Sequence, residues 1–173
     1  MESAATDRVL RTGVIAAWLA FVFVLYGAIR EIVINPGDSA PEFTVIADGN
    51  KPVSLHDFHG KALLLNFWAT WCEPCRIEIP SLNALARTLG TRGLVILAVS
   101  GDPDSTAYAR FLKQTPLAFL TLRQPDKTLQ TAYGTAQIPE TCLIDRNGVV
   151  RSKFISNQDW TSPELVNQVE SLL

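Results

Sequence analysis

Ala62-Leu63-Leu64-Leu65-Asn66-Phe67-Trp68-Ala69-Thr70-Trp71-Cys72-Glu73-Pro74-Cys75 is the stretch on which the fold turns. Its first seven residues are apolar apart from Asn66, the pattern of a strand buried on both faces of a sheet. After Cys75 the period changes: Leu82, Leu85, Ala86 and Leu89 recur at helical spacing, and Gly90 or Gly93 can end that helix. Pro80 is expected to bend it, because proline lacks an amide donor and crowds the carbonyl of Arg76. The two cysteines therefore stand where a strand hands over to a helix.

Outward from this junction, strands and helices alternate. Phe43 to Ala47 and Lys51 to Leu55, joined through Asp48-Gly49-Asn50, predict a small hairpin. Leu94 to Val99 predicts a second buried strand, and Asp102-Pro103-Asp104-Ser105 opens a helix with Tyr108, Phe111 and Leu112. A strand over Ala118 to Leu122, a short helix from Asp126 to Tyr133 and a strand from Thr141 to Asp145 follow. The turn Arg146-Asn147-Gly148, a strand from Val149 to Ile155 and a helix from Ser162 to Leu172 close the chain. The fold class expected is α/β, a mixed central sheet flanked by helices on both faces.

At 173 residues and 47% apolar content the chain can hold one ordinary domain with an appendage. A formal charge of −2 disfavours nucleic-acid binding. The appendage is N-terminal: Thr12 to Ile29 is uncharged and as a helix would be about 27 Å long, close to the hydrocarbon core of a bilayer. Arg8 and Arg11 precede it, which favours a cytoplasmic N-terminus. A cleaved signal peptide fits less well, since Tyr26 occupies the −3 position of the one candidate site ending at Ala28. The expected organisation is a cytoplasmic stub and transmembrane anchor over 1–34, a turn-rich linker over 35–40 and a domain over 41–173.

Cys72 opens a helix, where amides and the positive end of the macrodipole favour a thiolate. Two intervening residues on a helical turn allow Cys75 to bond it, and Pro74 stiffens that turn. The competing reading is a zinc site completed by His56 and His59. Geometry opposes it, because the strand from Ala62 to Trp68 holds the two pairs roughly 20 Å apart. Glu78, three residues after Cys75, is its neighbour on the helix and can accept the proton of the second thiol, where burial would raise its pKa. Cys142, in an apolar strand, is expected to be a buried inert thiol.

Asn66 to Cys75 resembles the active-site motif of the thioredoxin superfamily, in particular the TlpA/ResA/CcmG-like branch of membrane-anchored thiol-disulfide oxidoreductases. The resemblance extends over Ala40-Pro41-Glu42-Phe43, Gly60-Lys61, Ile138-Pro139-Glu140-Thr141 and Asp145-Arg146-Asn147-Gly148. It implies a thioredoxin-like fold with an N-terminal hairpin and a strand-helix insertion between the second core strand and Pro139. It implies Cys72 and Cys75 as a redox disulfide, a cis-Pro139 facing them, and the Ile138 backbone offered to a substrate segment. Where cytoplasmic thioredoxins have a buried Asp six residues before the first cysteine, this chain has Asn66, which leaves Glu78 for the proton. Trp71 is expected on the rim of the binding surface, with Glu140 beside it; Trp68 and Phe67 fit either core or rim.

The function these features imply is an extracytoplasmic reductant of protein disulfides, with no cofactor and no metal. Expected partners are apocytochrome c or copper-site proteins as substrates, a membrane thiol-electron donor of the CcdA/DsbD type, and the inner membrane itself, crossed once with the domain on the periplasmic side. Three alternatives stand beside it. A disulfide oxidase or isomerase would need a strongly stabilised thiolate at Cys72. A copper-binding assembly factor would use the Cys pair as ligands but lacks a nearby downstream His. A peroxiredoxin would want Thr three residues before its cysteine, where this chain has Ala69.

Overall fold

A computed structural model describes residues 2–30 and 34–173, in two compact units, Met1–Val33 and Ile34–Leu173. The first holds helix α1, Glu2–Arg30. Every residue from Gly13 to Gly27 is exposed, among them Trp18, Phe21, Phe23 and Tyr26, so this helix has no buried face there. Among the described residues no helix is long and apolar enough to cross a membrane. Of the expected anchor, the side chains of Arg8, Thr12 and Ala28 to Arg30, and residues Glu31 to Val33, lie outside those described.

The second unit begins with strands β1 (Thr44–Ala47) and β2 (Lys51–Ser54), an antiparallel hairpin. Its turn uses the left-handed region at Gly49 and Asn50, which Gly adopts freely and Asn tolerates. Then come β3 (Ala62–Trp68), α2 (Glu73–Leu89), β4 (Leu94–Ser100), α3 (Ser105–Gln114), β5 (Leu120–Arg123), α4 (Thr128–Ala132), β6 (Glu140–Ile144), β7 (Val150–Ile155) and α5 (Pro163–Glu170). The main sheet has the order β5-β4-β3-β6-β7, with β3, β4 and β5 parallel and β6 and β7 antiparallel to their neighbours. The mixed sheet and the hairpin match the expectation, and β5 with α4 forms the strand-helix unit between β4 and Pro139.

All seven residues of β3 are buried, as a central strand covered on both faces requires. Leu64 packs with Leu82, Leu85 and Leu89 of α2, Val169 of α5 and Trp160. Leu63, Leu65 and Phe67 face the other way, onto Phe43, Phe58, Leu129 of α4 and Tyr133. The helix α2 continues through Pro80 without a break in its assignment. Asp104 caps α3, its carboxylate accepting from the amides of Thr106 and Ala107.

The stretch 35–40, read as a linker, is instead laid along the sheet edge. The Gly37 and Ala40 amides donate to the carbonyls of Val150 and Gly148 at 2.8 Å, and the Val150 amide donates to Asp38 at 2.9 Å. Ala40 is buried. Turn-forming residues look alike in a free tether and in a bonded one, and only the partner strand distinguishes them.

Because successive β3 side chains enter separate packed clusters, Leu64→Ala and Leu65→Ala are each expected to cost about 3 kcal/mol. Urea unfolding of the two variants measures this. A near-zero cost for either would mean that one face of the sheet is open.

Candidate active site

The carboxyl end of β3 is where three loops meet. Its parallel neighbour β4 ends at Ser100, opposite Trp68, and the Gly101 amide donates to the Trp68 carbonyl at 2.9 Å. Its antiparallel neighbour β6 begins at Glu140, opposite Phe67, so Pro139 enters beside the same strand end. The Ile138–Pro139 bond is cis.

Residues 69–71 lead from β3 into α2, and Cys72 is the N-cap of that helix. Cys72 and Cys75 are joined as a disulfide with their Cα atoms 5.3 Å apart. The Cys75 amide donates to the Cys72 sulfur at 3.3 Å, and Pro74 occupies the first turn, where its missing donor leaves no bond unmade. In this bonded state both cysteines are covered: Cys72 is 5% exposed and Cys75 1%. Both belong to an apolar cluster with Trp68, Ala69, Ile79, Ala98 and Tyr108, against which Ile138 packs. Trp71, directly before Cys72, is 65% exposed, and Ile77 on α2 is 62% exposed.

Cys75, Glu78, Ile79 and Leu82 lie on the buried side of α2. The Glu78 carboxylate accepts from Trp160 Nε1 at 2.6 Å, from the Gln158 amide at 3.3 Å and from Asn66 Nδ2 at 3.4 Å. Asn66 Nδ2 also donates to Thr141 Oγ1 at 2.9 Å. Burial pushes the Glu78 carboxyl up to about 7, against the pull of these three donors. This raised carboxyl lies one turn along the helix from Cys75.

Other residues fall differently. Glu140, expected on the rim, is 3% exposed; it accepts from Thr135 Oγ1 and pairs with Lys153 at 3.0 Å. A carboxylate beside the cis-proline is turned inward because Lys153, across the strand pair, neutralises it there. Cys142 is fully buried and unbonded, and burial pushes its thiol up to about 12. Trp68 and Phe67 are core. His56 and His59 stack on one another with ring centres 5.1 Å apart, at the start of β3 and away from the cysteines.

Two residues carry roles that the sequence did not signal. Trp160 sits in the segment before α5, far from the motif, with no pattern to tie it to Glu78. Asp102, which read as part of a helix start, is 1% exposed and turned back to the active-site turn. It accepts from the Thr70 amide at 2.9 Å and the Thr70 hydroxyl at 2.6 Å, and so fixes Thr70, two residues before Cys72.

A disulfide at the end of a central strand, with a cis-proline entering beside the same strand end, defines the class: this domain is a thioredoxin-fold thiol-disulfide oxidoreductase. The chain belongs to the AhpC/TSA family, which it matches over residues 36–153. It is 35% identical over 129 residues to the thiol-disulfide oxidoreductase ResA of Bacillus thuringiensis subsp. konkukian, covering 75% of each chain. With the ResA of Geobacillus thermodenitrificans it shares 32% identity over 168 residues and 95% of each chain. A crystal structure of a thiol:disulfide interchange protein DsbE from Chlorobium tepidum superposes with a TM-score of 0.75 at 30% identity, over 80% of this chain and 98% of that one.

A carboxyl raised from 4.5 to about 7 is protonated in the folded protein at pH values where the unfolded chain has already ionised it. Folding stability from this group is therefore present at low pH and lost as pH rises toward 7. The oxidised protein should lose about 2 kcal/mol on that account between about pH 5 and pH 7. Denaturant unfolding across this range should show the loss, and Glu78→Gln should remove it. An unchanged slope in the variant would place the titrating group elsewhere.

Proposed function

We propose that this chain is a membrane-tethered reductant of protein disulfides that works outside the cytoplasm, in cytochrome c maturation or in assembly of an oxidase copper site. The observation that carries the reading is the buried Glu78 on the cysteine helix, with a pKa near neutrality. A buried thiol that must attack needs a proton acceptor of matched affinity, and this carboxylate supplies one.

In the proposed cycle the Cys72 thiolate attacks one sulfur of a substrate disulfide, and the other substrate sulfur leaves as a thiolate and takes up a proton. Cys75 gives its proton to the Glu78 carboxylate and attacks Cys72 in the mixed disulfide, releasing the second substrate sulfur, which is protonated in turn. Two electrons and two protons pass to the substrate, and the enzyme is left with the Cys72–Cys75 bond. A membrane thiol donor of the CcdA/DsbD type restores the dithiol. Trp71, Ile138 and Pro139 are assigned to hold the substrate segment, with Trp71 as the exposed apolar contact.

The tether is assigned to the uncharged run from Thr12 to Ile29, whose described residues are exposed and largely apolar. Its preceding arginines support a single-pass anchor in the inner membrane with the domain on the periplasmic side. The ResA and DsbE likenesses support the same chemistry without choosing among substrates.

Equilibration of the protein in a defined thiol buffer, read as the fraction of free thiol, tests the direction of electron flow. A potential near that of thioredoxin, about −270 mV, is expected; one near about −120 mV would make the protein an oxidant instead. Glu78→Gln should slow disulfide reduction about tenfold or more and flatten its pH dependence around neutrality. Unchanged kinetics would remove Glu78 from the proton path.

A further inference from the structure

Beside the disulfide lies a hollow of about 220 Å³ lined by Trp71, Gly101, Lys127, Gln130, Gln137 and Ile138. Trp71 directly precedes Cys72 and Ile138 directly precedes Pro139, so this hollow adjoins both parts of the proposed substrate path. A polypeptide whose cysteine meets Cys72 along the Ile138 backbone would present a flanking side chain here.

The hollow is shaped and charged. Lys127 and Gln130 close in on Gly101: a Cβ there would stand in ordinary contact, 3.8 Å from Lys127 Cε and 3.6 Å from Gln130 Oε1. Lys127 supplies the sole charge of the lining and makes no ion pair among the described residues. The adjacent Asp126 is engaged elsewhere, accepting from the Thr128 amide at 3.1 Å. Lys127 also holds a left-handed backbone at φ 57°, a conformation that is unfavourable for a residue with a Cβ and that Gly or Asn would adopt more readily. A lysine kept at that cost, unpaired, beside two carboxamides, suits a ligand carboxylate.

On the opposite flank of the cysteine helix the charges are already matched. There Glu73 and Arg76 pair at 3.1 Å beside Ile77 and Phe111. Of these two flanks, the one at Glu73 and Arg76 carries a paired charge and the hollow at Lys127 an unpaired one, among the described residues.

We infer that this hollow is a specificity subsite that takes an acidic side chain flanking the reacting cysteine of the substrate polypeptide, with Lys127 as its counter-charge. The inference rests on the reductase reading above and adds to it the chemistry of the preferred substrate. An exposed ion pair of this kind is worth up to about 1 kcal/mol, or about fivefold in rate constant.

The test uses the reduced full-length protein in detergent and cyclic disulfide peptides with blocked termini, so that a side chain carries the only carboxylate. Peptides with Glu, Gln or Lys at successive positions flanking the cysteines are compared by kcat/KM from thiol release. At one flanking position Glu should be preferred over Gln by about threefold to fivefold, and Lys should be worst. High salt, about 0.5 M, should compress the range. The Glu-to-Gln ratio should fall to about one in Lys127→Gln, survive in Lys127→Arg and invert in Lys127→Glu. Because each ratio is taken within one sample, a partly folded variant still reports it. Equal rates for all peptides in the unaltered protein, or a preference that persists in Lys127→Gln, would overturn the subsite and leave the reductase reading standing. Failure to reduce any peptide would overturn both.

Discussion

One strand, shut off from water on both faces, holds the rest of this domain in place. β3 cannot slip in register without moving Leu63, Leu65 and Phe67 out of one packed cluster and Leu64 out of another. Its fixed register with β4 and β6 delivers Gly101, Asp102 and Pro139 to the same strand end from which the cysteine helix departs. Asp102 then ties down Thr70, so the turn before Cys72 is held from the side as well as from its two ends. The geometry around the disulfide is thus inherited from the sheet.

The same burial sets the proton chemistry. Glu78 is buried on the same side of α2 as Cys75, where the charge of a carboxylate is costly. Trp160, Gln158 and Asn66 each donate to the carboxylate and offset part of that cost. Their balance, and not the carboxyl's ordinary affinity, puts its titration near neutrality. An Asn in place of an Asp within β3 is consistent with this arrangement, since a second buried acid beside Glu78 would compete for the same donors.

Much of this was legible along the chain. The seven buried positions of β3, the period change after Cys75, the Asp48-Gly49-Asn50 turn and the Asp104 cap each announce themselves through local pattern, because local backbone preference and core position agree there. The cis Ile138–Pro139 bond followed from resemblance, since nothing in the flanking residues requires it. What stayed hidden depends on partners distant in sequence. Trp160 meets Glu78 across 82 positions, Asp102 meets Thr70 across 32, and Glu140 was misplaced because Lys153 gives it an internal counter-ion. The stretch 35–40 read as free chain for the same reason: its bonds go to Gly148 and Val150.

Cys142 has a consequence of its own. A spare sulfur near a working pair ordinarily invites scrambling, in which three groups exchange among wrong combinations and an enzyme drifts into inactive isomers. Here the spare one is locked into β6, fully covered, and held almost wholly as the unreactive protonated form at neutral pH. Of the combinations that three sulfurs allow, the folded chain leaves a single one accessible, the Cys72–Cys75 pair.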